Sequence, residues 1–125
     1  MTCLLDTHFL LWILSKSRRL REYRWLEDYQ PWGGSPISLL EIQLLAESRK
    51  RRLEPGFMEA VMTDPRFEFD EVSLVPLIQK SLLVSWTRDP FDRLISAHSL
   101  ARRIPLCSVD SAILQHHKLV IPELK

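Results

Sequence analysis

Thr2-Cys3-Leu4-Leu5-Asp6-Thr7-His8 is the stretch on which the fold turns. Thr2 to Leu5 is a short apolar run stopped by an aspartate. It reads as a buried strand, although periodicity alone does not separate so short a run from a helix segment. Thr7 is placed to cap a helix running through Leu14. A buried strand that ends on an acid and passes straight into a helix is the first half of a βα unit.

The same grammar recurs outward from that stretch. Ile104 to Val109 reads as a second apolar strand, stops at Asp110, and gives way to a helical turn or two over Ser111 to His117. Leu119 to Ile121 suggests a last strand. Between these ends, Arg18 to Tyr29 reads as a basic helix with Leu20, Tyr23 and Leu26 at helical spacing. Pro31, Gly33 and Gly34 read as a break, followed by a strand near Ser35 to Ile37 and a helix through about Arg52. Phe57 to Met62 predicts a short helix. Phe67 to Val72 alternates as an edge strand would. Leu77 to Val84 predicts a helix with Pro76 in its first turn, and Asp89-Pro90 opens another reaching Arg103. Strands alternating with helices predict an α/β fold in three layers, a central and mostly parallel sheet flanked by helices. No repeat, linker or low-complexity segment divides residues 1–125, so one domain is expected.

Composition narrows the class further. The chain has 125 residues, 46% of them hydrophobic, and a formal net charge of +1. That apolar fraction suits a folded chain rather than a disordered one. Near-neutral charge leaves the nature of any partner to local patches. Cys3 and Cys107 lie in apolar runs without metal-ligand spacing and read as reduced core thiols. The N-terminal stretch lacks a basic start and is interrupted by Asp6 and His8, unlike a signal peptide. Phe9 to Leu14 is far short of the roughly 20 residues that span a bilayer. A cytoplasmic protein without membrane attachment is expected.

Chemistry concentrates in four acids. In parallel α/β folds ligands gather beyond the carboxyl ends of the strands. Asp6 and Asp110 follow strands directly, while Glu41 in Ser-Leu-Leu-Glu and Asp92 in Asp-Pro-Phe-Asp sit near helix beginnings that would face the same rim. Each also has a plain structural role open to it. Ser38 and Glu41 fit a capping box, Asp89 fits an N-cap that leaves Asp92 beside the helix dipole, and Asp110 could cap the helix after it. Together those roles fit less well. Glu41 shares a helix face with Ile37, Leu44, Leu45 and Ser48, and Asp92 shares one with Ser96 and Ser99. Converging carboxylates repel by roughly 4 kcal/mol per pair at 4 Å and an effective dielectric near 20. A hard divalent cation relieves that repulsion, and magnesium favours a few carboxylates with waters and phosphate oxygens.

Leu4-Leu5-Asp6-Thr7-His8, Ser38-Leu39-Leu40-Glu41-Ile42, Arg88-Asp89-Pro90-Phe91-Asp92-Arg93-Leu94-Ile95 and Ser108-Val109-Asp110 resemble, in order, the motifs of PIN-domain proteins, most closely VapC-type toxins of bacterial toxin–antitoxin pairs. The resemblance implies a parallel sheet flanked by helices and a ribonuclease dependent on Mg2+ or Mn2+. It also implies inhibition by a cognate antitoxin, and homodimers. It assigns Asp6, Glu41, Asp92 and Asp110 to the acidic quartet that is both catalytic and metal-holding. Thr7, Ser38 and Ser108 match supporting polar positions, and Asp89 is an extra acid that reads as a cap. Pro36 departs from the pattern. It could move the helix start to Ser35, taking Glu41 out of the first turn and away from a metal.

Two basic runs, Lys16 to Arg24 and Arg49 to Arg52, could follow a phosphate chain or simply face solvent. Arg93 beside Asp92 could contact phosphate or pair with an acid. His8 is expected to turn away from the strand end, His116-His117 to form a surface helix end, and Trp12, Trp25, Trp32 and Trp86 to serve core or interface. Two other classes compete. A phosphoacceptor signalling domain would not need Glu41 and Asp110 together, and no suitably placed strand-end lysine is present. A non-catalytic PIN-like module binding RNA or protein would be favoured by loss of one quartet acid, and all four are present.

Overall fold

The computed structural model describes all residues, Met1–Lys125. Four strands form one parallel sheet in the order β3-β2-β1-β4, with β1 Leu4–Leu5, β2 Trp32–Gly34, β3 Phe67–Phe69 and β4 Leu106–Cys107. Six α-helices join and flank them: α1 Thr7–Leu14, α2 Pro36–Ser48, α3 Phe57–Thr63, α4 Leu74–Ser81, α5 Pro90–Arg102 and α6 Ser111–His116. The α/β expectation therefore holds. No helix is long and apolar enough to cross a membrane.

The central strand decides where chemistry can sit. β1 pairs with β2 through Leu4 and Gly33, and with β4 through Leu4–Leu106 and Leu5–Cys107. Leu4, Leu5, Phe9, Leu10, Cys3 and Cys107 are fully buried, each large apolar side chain contributing about 1.5–3 kcal/mol. Burial pushes the Cys3 thiol up to about 12, which agrees with unreactive core cysteines. Because Leu5 and Cys107 are in register, the chain beyond each emerges on one rim. The Asp6 amide there donates to the Cys107 carbonyl at 3.0 Å.

Several local expectations are corrected. Asp6, not Thr7, caps α1: its Oδ1 accepts from the Phe9 amide at 2.9 Å. Arg18–Tyr29 is not an α-helix but two 3-10 segments, Arg18–Glu22 and Arg24–Tyr29. The reason is the period. Leu20, Tyr23, Leu26 and Tyr29 repeat every third residue, which suits 3.0 residues per turn rather than 3.6, and all four pack on the core. The second strand is Trp32–Gly34 rather than Ser35 to Ile37. Its glycines mark close approach, not a break. A Cβ on Gly33 would lie 2.6 Å from the Cys3 carbonyl oxygen, and one on Gly34 would lie 2.7 Å from the Phe69 ring.

The helix after it starts one residue past Ser35, with Pro36 in its first turn, and ends at Ser48 because Lys50 turns left-handed (φ 54°). Ser38 is thus inside α2, and the Ser38–Glu41 capping box does not form. α4 runs Leu74–Ser81 rather than Leu77 to Val84, and the last strand is a single bridge between Leu106 and Val120. β3 is the edge strand expected, though shorter.

Candidate active site

Asp6, Glu41, Asp92 and Asp110 line one small pocket of about 20 Å³ together with Thr7, His8, Phe91 and Ile95. That is room for about one water-sized sphere. Each acid arrives by a different route. Asp6 and Asp110 lie beyond β1 and β4 and cap α1 and α6, Asp110 through an Oδ1 that accepts from the Ile113 amide at 3.0 Å. Asp92 sits in the first turn of α5, which is capped by Asp89: its Oδ1 accepts from the Phe91 and Asp92 amides at 2.8 and 3.1 Å. Asp89 therefore does what its N-cap reading required. Glu41 comes from the second turn of α2. Leaving the first turn has not removed it from the pocket.

The supporting residues divide. The Thr7 hydroxyl donates to the Ser38 hydroxyl at 3.2 Å and both are buried, tying α1 to α2 beneath the pocket. Ser108 is fully buried; its Oγ accepts from the Asp110 amide at 3.1 Å, and its hydroxyl also stabilises ionised Asp6. Arg93 does not reach the pocket. Its Nε donates to the Thr87 carbonyl at 2.6 Å, and it pairs with no acid. His8 was missed by the sequence reading: it lines the pocket, and its charge favours ionised Asp6. The signal available was its place one residue after Thr7, on the first exposed turn of a helix that starts at the rim. His117 is buried rather than a surface residue, with Nε2 2.9 Å from the Ser99 hydroxyl. Trp32 is core, as expected.

The electrostatics bear the mark of crowding. Burial raises the proton affinity of Asp6; the Phe9 amide, Ser108 and His8 work against this, and Glu41 adds to it. Asp92 is pushed up to about 6, first by burial and then by Asp89, Asp110, Glu41 and Asp6. A carboxylate in the first turn gains about 0.3–1 kcal/mol from the helix dipole, so burial and repulsion outweigh that gain.

A pH dependence follows. The unfolded reference for Asp92 is 3.8 and the folded value about 6, so the folded chain binds this proton more tightly. The resulting stability is full below about 4 and is lost as pH rises through about 6. The whole displacement would correspond to roughly 3 kcal/mol, and solvent screening of a half-exposed side chain reduces this to about 1 kcal/mol. Metal-free Asp92→Asn should therefore melt about 4 °C above the parent at pH 7 and match it near pH 4. Thermal unfolding from pH 4 to 8 checks this, and parallel curves across that range would refute it.

The donor set is oxygen only, apart from His8. That suits a hard cation such as Mg2+ or Mn2+ rather than one preferring thiolate. The four carboxylates line the pocket without being drawn into a closed metal shell. Ser96, one turn beyond Asp92 on the same face, is buried with no partner for its hydroxyl.

The sequence profile of the PIN domain matches residues 3–118. The chain belongs to the PIN-domain family. The four acids at the strand-end rim are thus set on a PIN fold, in a family whose members are in general nucleases. A chain of a solved toxin–antitoxin complex from Klebsiella pneumoniae has the same fold, with TM-score 0.70, 20% identity and 95% of each chain covered. No curated protein matches the sequence.

Proposed function

We propose that this PIN-domain chain is an endoribonuclease dependent on Mg2+ or Mn2+, a single catalytic domain over residues 1–125, and the VapC-type toxin of a toxin–antitoxin pair. The observation that carries the reading is the convergence of Asp6, Glu41, Asp92 and Asp110 on one pocket, with Asp92 raised by burial and then by its acidic neighbours. These four would hold the cation, which when bound supplies an activated water and neutralises charge on a phosphodiester.

The chain's own residues do the rest. The caps fix the Asp6 and Asp110 carboxylates through one oxygen each, which pre-orients them. Asp92 makes no hydrogen bond through its carboxylate, and below about pH 6 it holds a proton that a cation must displace, so metal affinity should rise with pH through that range. His8 can donate an N–H to a phosphate oxygen at the pocket mouth. The exposed basic run Arg49 to Arg52 offers non-specific attraction for an RNA chain. A cognate antitoxin is the proposed protein partner. A homodimer is supported by the exposed apolar face of α4 and the residues after it, where Leu74, Val75, Ile78, Leu82 and Leu83 are 41–76% exposed; faces of this kind are commonly covered by a partner. The setting proposed is the cytoplasm.

Purified protein should cleave single-stranded RNA with Mg2+ or Mn2+, stop on chelation, and resume when the metal is restored. Cleavage that persists after exhaustive chelation would overturn the metal mechanism.

A further inference from the structure

Away from the pocket, one buried polar chain crosses the molecule. His98 on α5 is 1% exposed, yet both ring nitrogens are engaged. Nε2 lies 2.8 Å from Oδ2 of Asp70, just past β3, and Nδ1 lies 2.9 Å from the hydroxyl of Ser35, just past β2. Asp70 also accepts from Arg102 Nε at 2.8 Å. An ionised Asp70 only accepts, so Nε2 carries a proton, and in the neutral ring Nδ1 accepts from the Ser35 hydroxyl.

Ser35 is the informative partner. It stands at the N-cap of α2, where a serine hydroxyl ordinarily accepts from the backbone of the first turn. Here the side chain makes no cap bond. Its hydroxyl is given to His98 instead, and the Ser38 amide is met by the Ser35 backbone carbonyl at 3.0 Å.

The geometry on either side of this contact is symmetric. Ser35 and Glu41 are six positions apart along α2, and Asp92 and His98 are six positions apart along α5. Each is about 9 Å of helix at 1.5 Å per residue. Ser35 meets His98 at one end while Glu41 and Asp92 share the pocket at the other, so α2 and α5 run in opposite senses. At the pocket end the two carboxylates push the helices apart; at the far end the buried hydrogen bond holds them together.

We propose that His98 and Ser35 form a clamp that sets the spacing of Glu41 and Asp92, making both positioning residues for the divalent cation. Asp70 fixes the imidazole so that Nδ1 meets Ser35. The inference rests on the metal-dependent reading of the pocket but concerns residues outside it.

The test is Mn2+ binding measured by isothermal titration, with thermal unfolding of each variant. Ser35→Ala and His98→Leu should weaken Mn2+ binding about 10-fold or more, as outer-shell changes do. The double variant should be no worse than the poorer single one, because the two act as a unit. His98→Gln, whose amide can both donate and accept, should keep affinity within about 3-fold of the parent. Val61→Ala opens a cavity on α3 and should lower stability without changing Mn2+ affinity.

Wild-type Mn2+ affinity in a folded Ser35→Ala protein overturns the clamp, and so does an equal loss in Val61→Ala. If His98→Leu does not fold, Ser35→Ala decides alone. Should the parent bind Mn2+ without cleaving RNA while Ser35→Ala binds it more weakly, the clamp stands and the ribonuclease reading falls. Should the parent cleave RNA while Ser35→Ala binds Mn2+ normally, only the clamp falls. A parent that binds no Mn2+ overturns both.

Discussion

Asp6→Asn and Asp110→Asn should each cut RNA cleavage at least about 100-fold while leaving the fold intact. The size follows from the position of these groups. Changing a residue that merely orients a metal ligand costs 10–100-fold, so neutralising a proposed ligand itself should cost no less. Retention of the fold follows from capping. Asn ranks with Asp at an N-cap, and its Oδ1 can still accept from the Phe9 or Ile113 amide. Removing a charge from a crowded acidic pocket also relieves repulsion, most clearly at Asp6, whose proton affinity burial has raised. The Ala variants should differ. They lose the charge and the cap together and should be less stable than the Asn variants by about 1 kcal/mol. Single-turnover cleavage at saturating Mn2+, with unfolding curves for all four proteins, separates the two roles. An Asn variant that keeps cleavage within a few-fold would remove that acid from the chemistry.

Binding of the proposed antitoxin should reduce cleavage to background through a cation placed among the same four acids. A pocket lined by Asp6, Glu41, Asp92 and Asp110 attracts positive charge, and arginine suits it because its planar fork meets two carboxylate oxygens at once. Truncating that arginine in the partner would leave buried carboxylates unpaired, a loss of about 2–5 kcal/mol, or roughly 30- to several-thousand-fold in affinity. Co-purification with the product of an adjacent small gene, a cleavage assay on the complex and a structure of it provide the measurement. A stably bound partner with no arginine or lysine near the four acids, or one that leaves cleavage intact, would refute the plug.

Which parts of this were legible in the sequence depends on range. Asp6 and Asp110 could be placed because each stops a short apolar run, and a parallel sheet brings such ends to one rim. Asp92 followed from Asp89-Pro90, a local signal for a helix start. The misreadings were of two kinds. Gly33 and Gly34 look like punctuation, but they exist to let Cys3 and Phe69 come close, a fact about neighbours distant in the chain. Leu20, Tyr23 and Leu26 read as α spacing, but with Tyr29 they make a strict repeat of three, which belongs to the tighter helix. The Ser35–His98–Asp70 chain joins residues 63 and 28 positions apart, and nothing local announces it. Arg93 shows the converse: sequence adjacency to Asp92 suggested a place at the pocket, yet its Nε is held by the Thr87 carbonyl and the side chain does not line the pocket.

Two of the four acids hold up their own helices, and two do not. In a growing cell that difference becomes one of protein turnover. An alanine at Asp6 or Asp110 gives up a cap, and losses of 1–2 kcal/mol change steady-state abundance several-fold through proteolytic clearance. A substitution at Asp92 or Glu41 gives up no cap, so the inert chain persists. On the proposed function, a lineage escaping the toxin through an alanine at Asp6 or Asp110 would tend to lose the protein. One escaping through Asp92 or Glu41 would keep a long-lived decoy still able to occupy the antitoxin.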